Sequence, residues 1–144
     1  MRKVLILLAT VLFSMSVRAN EMDLDQYKGK VVYLDFWASW CGPCRSSFPW
    51  MNEMQSRFSK LGFQVVAVNL DQQPELAQKF LAQFPVSFQI AYDKGGDMAK
   101  KFGVQAMPTS FLIDKNGKTV SMHRGFHIDD EDAYEAEIEK LIQE

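Results

Sequence analysis

The 144-residue sequence predicts an α/β fold in which a mixed central sheet is covered by helices on both faces. Two observations predict it. Continuous apolar runs of strand length alternate with segments whose apolar residues recur every three or four positions, the rhythm of strand and helix in turn. Near the C-terminus the pattern changes, and two strand-like runs meet at Asn116-Gly117, a strong antiparallel hairpin signal. Strand–helix units followed by a hairpin require a sheet that is parallel in one part and antiparallel in another.

Each element follows from its residues. KVVYLDFW (30–37) is an unbroken apolar run apart from one acid, as expected of a strand buried on both faces. Phe48, Met51, Met54, Phe58 and Leu61 then recur at helical spacing. FQVVAVNL (63–70) reads as a second buried strand. PELAQKFLAQF (74–84) reads as a helix with proline in its first turn, stopped by Pro85. SFQIAY (87–92) is a further strand, and DMAKKFG (97–103) a short helix closed by glycine. TSFLID (109–114), KNG (115–117) and KTVSMHR (118–124) are strand, turn and strand. DDEDAYEAEIEKLIQ (129–143) is a helix whose acidic first turn complements the positive end of its dipole.

The first residues do not belong to this pattern. Arg2 and Lys3 precede an apolar stretch from Val4 to Val17, and Val17-Arg18-Ala19 places small residues where a signal peptidase cuts. Residues 1–19 therefore read as a secretory signal and 20–144 as one domain, exported to the periplasm. The apolar stretch falls short of the ~18–20 residues of a spanning helix, so membrane contact would be confined to this segment if it were retained. Without residues 1–19 the chain keeps 13 basic against 18 acidic residues. It has no basic patch with interleaved aromatics, which argues against nucleic acid as a partner.

Cys41 and Cys44 are the only cysteines, within DFWASWCGPC (35–44). They admit three readings. As a staple, a bridge this short closes a tiny loop and contributes roughly 2 kcal/mol by loop entropy. As half of a metal site, the pair needs about two more ligands. The histidines, His123 and His127, have a suitable spacing but lie far along the chain. His123 reads as a surface residue of a strand and His127 as a residue just ahead of a helix. As a redox reagent, the pair fits best. Cys41 stands where a buried strand passes into a helix, and exposed N–H groups with the helix dipole favour a thiolate there. Cys44 lies one turn further in, more buried and protonated, ready to resolve a mixed disulfide. This chemistry needs no metal and no cofactor.

DFWASWCGPC resembles the active site of the thioredoxin superfamily. GVQAMPT (103–109) resembles that family's cis-proline segment, Pro49 lies where its helix kinks, and KNGK with Gly125 matches its final hairpin. The likeness runs from about residue 30 to 143. The stretch 75–97 is longer than thioredoxin's own connection. Together with the export signal, it resembles the TlpA/ResA-like branch of extracytoplasmic thiol-disulfide oxidoreductases.

The resemblance implies roles for further residues. Asp35 matches the buried acid that takes the Cys44 proton through water. The lysine that accompanies this acid in thioredoxin falls at Ala67, so Asp35 should be hard to ionise. Trp40 is expected both to pack and to cover the disulfide. Gly42 and Pro43, the general-purpose dipeptide between the cysteines, line the client site. A cis bond before Pro108 would turn the Met107 backbone toward a substrate strand for β-type pairing. The implied partners are disulfide-bonded client proteins and a membrane thiol electron donor.

The implied activity is disulfide reduction. No histidine or other ionisable side chain lies between the cysteines, and Arg45 is the local cation. A Cys41 pKa of ~6–7.5 and a potential nearer thioredoxin than DsbA are therefore expected. A disulfide oxidase or isomerase of the same fold, and a non-catalytic binding module, are the alternatives. A one-cysteine peroxidase is disfavoured, because Leu34 and Ala38 stand where that chemistry has Pro and Thr or Ser.

Overall fold

A five-stranded mixed sheet organises the chain in the order β3-β2-β1-β4-β5. The structure is a computed structural model and describes residues 22–144. The expected signal segment, residues 1–19, lies outside the described residues. The strands are β1 (Val31–Trp37), β2 (Phe63–Asn69), β3 (Gln89–Tyr92), β4 (Thr109–Ile113) and β5 (Thr119–Arg124). The helices are α1 (Gly42–Phe58), α2 (Pro74–Gln83), α3 (Asp97–Lys101) and α4 (Glu131–Gln143).

β1 is the central strand. It pairs in parallel with β2 and antiparallel with β4, so the sheet changes sense at the strand that leads into the cysteines. All seven of its residues are buried, as its unbroken apolar run requires. Its alternate residues face two separate cores. Val31, Tyr33 and Trp37 face α1, α2 and α4, while Val32, Leu34 and Phe36 face α3 and the 3-10 turn Leu24–Tyr27.

The stretch 75–97 contributes most of α2 and the edge strand β3, which extends the parallel half of the sheet beside β2. Phe80 of α2 packs against Trp37 and Phe48 with ring centroids 4.9 Å away in each case. The added segment therefore buttresses the strand and helix that flank the cysteines. At the hairpin, Asp114 Oδ1 accepts from the N–H groups of Asn116 and Lys118, and Gly117 takes φ 83°, which a side chain would resist.

Two element ends differ from expectation. α1 stops at Phe58 and a 3-10 turn, Ser59–Leu61, follows before Gly62 takes a left-handed φ of 84°. The tighter turn rotates Leu61 off the buried face, and it is 59% exposed. Ahead of α4, Ile128–Asp130 form another 3-10 turn, because Asp130 has φ −98° and ψ 1° and does not continue the helix. Glu131 and Asp132 then supply the acidic first turn.

Candidate active site

The end of β1 delivers the chain to the first turn of α1 through Ala38-Ser39-Trp40. Asp71 anchors this loop. Its carboxylate, buried beyond the end of β2, accepts from the Ser39 N–H (3.1 and 3.3 Å), the Ser39 hydroxyl (2.9 Å) and the Asn69 amide (2.8 Å). The Cys41 N–H donates to Ala38 O at 3.1 Å, which tightens the same loop.

Cys41 is the N-cap of α1. Its backbone is extended, and its sulfur accepts from the Cys44 N–H at 3.3 Å, doing what a Ser or Asp side chain does at most helix starts. Pro43 sits in the first turn, where a missing N–H leaves no helical bond unmade. Cys41 and Cys44 are joined in a disulfide with Cα atoms 5.4 Å apart. Both cysteines are buried, Cys41 at 3% exposure and Cys44 at 0%. Gly42, Pro43 and Arg45 are exposed around them.

Trp40 departs from expectation. It is 71% exposed, so the packing half of its expected role is absent. The loop held by Asp71 and Ser39 turns its indole outward, beside the disulfide in sequence.

Asp35 is 1% exposed. The Ser110 hydroxyl donates to its Oδ1 at 3.0 Å, and its Oδ2 has no hydrogen-bond partner among the described residues. Burial pushes its carboxyl up to about 7, and the Ser110 hydrogen bond opposes that rise. Its neighbour on β2 is Ala67, buried and uncharged. The hard-to-ionise acid read from the sequence is what the geometry gives.

The Met107–Pro108 bond is cis. Pro108 is buried, and Met107 is half-buried against the core that contains both cysteines. The Gly125 N–H donates to Pro108 O at 2.8 Å and the Thr109 hydroxyl to Ala106 O at 2.6 Å, which fixes both sides of this segment.

His123 is not the surface residue expected. Its side chain is 14% exposed, its ring lies 4.6 Å from that of Tyr134, and its Nε2 is 3.0 Å from Glu137. α4 covers this part of β5, which a reading of one strand alone does not reveal. His127, exposed, does stand at the N-cap of the turn ahead of α4.

Sequence reasoning overlooked Ser110, Tyr33 and Asp71. Tyr33 donates to Ser110 at 3.0 Å, behind the Ser110–Asp35 bond. A serine inside an otherwise apolar strand, and an Asn-x-Asp at a strand end, were the available signals.

Residues 8–138 match the family model Redoxin. The chain belongs to the redoxin family. Within the thioredoxin superfamily, this redoxin is TlpA/ResA-like: it is 38% identical over 109 residues to thiol-disulfide oxidoreductase ResA of Bacillus thuringiensis subsp. konkukian. That match covers 76% of this chain and 63% of the relative, so the redoxin spans less than two thirds of its curated relative's length. A crystal structure of a chain assigned as thiol:disulfide interchange protein DsbE from Chlorobium tepidum aligns with TM-score 0.81 and 55% identity. The alignment covers 83% of this chain and 84% of that one. The exposed lipoprotein thioredoxin Etrx1 of Streptococcus pneumoniae aligns with TM-score 0.71 and 31% identity, over 82% and 90% of the two chains.

Proposed function

We propose that this redoxin is a thiol-disulfide oxidoreductase that reduces protein disulfides outside the cytoplasm. The observation that carries the reading is the Cys41–Cys44 pair at the start of α1, with the first sulfur as helix cap and the second one turn inside the helix.

In the reduced form, Cys41 attacks a client disulfide as thiolate, and one client sulfur leaves. The first four N–H groups of α1 lack helical partners and favour negative charge at the cap. Cys44 then gives its proton to Asp35 and attacks the Cys41 sulfur. The mixed disulfide breaks, the second client sulfur leaves as thiolate, and the protein holds the Cys41–Cys44 disulfide. Two electrons pass to the client, whose thiolates take up protons. Met107 and Pro108, with Trp40, Gly42 and Pro43, form the surface against which the client strand is held. Because such a compartment is oxidising, a membrane thiol donor must restore the dithiol.

The direction of transfer follows from the poverty of cations around Cys41. Thioredoxin lies at about −270 mV and DsbA at about −120 mV, a difference of roughly 7 kcal/mol for two electrons. Gly42 and Pro43 offer nothing ionisable, Arg45 is solvent-facing, and a charged Asp35 would oppose a second negative charge. The potential is therefore expected near thioredoxin. Equilibration with glutathione buffers measures it, and a value near DsbA would make the protein an oxidase. A Cys44→Ser variant should trap clients on Cys41, and reduction of insulin disulfides with dithiothreitol tests the activity directly. No such reduction would favour a binding module instead.

Export is supported by the N-terminal pattern and by the likeness to an exposed lipoprotein thioredoxin. Mass spectrometry of the extracytoplasmic fraction should find a chain that starts at Asn20. A full-length chain held in the membrane would overturn cleavage.

A further inference from the structure

Across the sheet, Ala67, Asp35, Ser110 and His123 are register neighbours on β2, β1, β4 and β5. Side chains alternate along a strand, and Val65, Tyr33, Trp37 and Leu112 all face the core that contains Cys41 and Cys44. The row of four therefore lies on that same face. At its centre the hydrogen bonds run toward the ionised carboxylate, which can only accept. Tyr33 has a single O–H and donates it to Ser110 at 3.0 Å; Ser110 has a single O–H and donates it to Asp35 Oδ1 at 3.0 Å. Asp35 Oδ2 is buried and without a partner among the described residues.

We propose that Ser110, backed by Tyr33, is a positioning residue for Asp35: it occupies Oδ1 as an acceptor and leaves Oδ2 to exchange the proton with Cys44. This rests on the reading of Asp35 as the proton acceptor. A buried carboxylate needs either a cation or hydrogen-bond donors. Ala67 supplies neither, and the neutral hydroxyl is the donor the fold provides. Because the donors point in sequence toward Asp35, they stabilise its charged form more than its neutral form.

The other titratable groups around it do not take this role. Cys41 and Cys44 from α1 are bonded to each other. Tyr33 is held neutral by burial. His123 of β5 stands beyond Ser110, with its Nε2 3.0 Å from Glu137 of α4, and its ring packs on Tyr134.

The carboxyl band of Asp35, assigned by its loss in Asp35→Asn, can be titrated by infrared difference spectroscopy on the oxidised protein. In Ser110→Ala its midpoint should rise by about one to two pH units, the loss of one charge-assisted hydrogen bond. In Tyr33→Phe, which keeps ring and fold, the midpoint should rise by less. A rise in both variants supports the proposal. An unmoved midpoint in Ser110→Ala overturns it, and so does one in Tyr33→Phe if Ser110→Ala does not fold. The pH–rate profile for resolving a mixed disulfide separates the two claims. A profile unchanged by Asp35→Asn sinks the reading of Asp35 as acceptor, and the proposal with it. A profile altered by Asp35→Asn, with an unmoved midpoint in Ser110→Ala, removes Ser110 alone.

Discussion

The two faces of β1 differ in kind. Val32, Leu34 and Phe36 meet Val66, Val68, Met98, Phe111 and Ile113 in a core dominated by apolar side chains, with the buried Thr109 beside Phe36. Tyr33, Asp35 and Trp37, one residue out of step, face the opposite core, which also holds a disulfide and a serine hydroxyl, and burial has pushed the Asp35 carboxyl up to about 7. The backbone and the burial are the same for both sets. What differs is whether the side chains must stay in one place or must also change protonation and bonding. The second face, which is also the larger core, carries a buried carboxyl whose ionisation the fold opposes.

The sharpest break of that comparison is at the cysteines. Cys41→Ser should abolish disulfide reduction, while Cys44→Ser should retain the first attack and accumulate mixed disulfides. Insulin turnover and non-reducing gels read the two outcomes. If Cys44→Ser were inert and Cys41→Ser formed the adducts, the outer and inner roles would have to be exchanged.

On the apolar face the expected effect is on stability alone. Leu34 is fully buried, and Leu34→Ala removes a side chain from a packed core at a cost of about 2–5 kcal/mol. Urea unfolding should show that loss, while the pH dependence of client reduction stays where it was. A shifted pH profile would mean that the two faces are coupled through the strand.

Much of this division was legible in the sequence, because strand alternation and helical spacing are local. The strands, the helices, the hairpin and the cysteines at a helix start follow from runs, periods and turn residues. The position of Asp35 within an apolar strand marked it as costly to ionise before any neighbour was known. The remainder depends on register between strands far apart in the chain. Ser110 reaches Asp35 only because β4 pairs with β1 in one register, and His123 is covered only because α4 returns over β5. Leu61 and Trp40 were misjudged for a related reason. Helical or aromatic character indicates what a residue prefers, but a 3-10 turn and an anchored loop decided which way each one points.

Asp35 makes the cost of the chemical face measurable. In the unfolded chain its carboxyl loses its proton near the ordinary 3.8, and in the folded protein burial raises this to about 7. Between these values the native state keeps a proton that the unfolded state has released. Stability contributed by this group therefore falls as pH rises through the window, and is level above it. The full fall is on the order of 4 kcal/mol for a shift of this size. Asp35→Asn has no such titration, so its stability relative to the parent should be greater at pH 8 than at pH 4. Urea midpoints of the oxidised proteins at the two values test this. An equal gap at both would show that the folded protein holds Asp35 at its ordinary value.

The smallest effect is expected at Trp40, which belongs to neither face. At 71% exposure it has little to lose in packing, and substitutions at such positions usually change stability by no more than about 0.5 kcal/mol. Trp40→Ala should therefore leave the unfolding midpoint almost unchanged. Its indole, next in sequence to Cys41, still offers a large apolar surface to whatever approaches the disulfide, and aromatic side chains dominate contact energies at interfaces. Reduction of a protein client should slow, while reduction of a small aromatic disulfide, too small to span the surface, should slow less. The ratio of the two rates is the decisive measurement. Equal slowing of both would place Trp40 in the chemistry of the disulfide itself, and a large drop in stability would restore the packing role that its exposure denies.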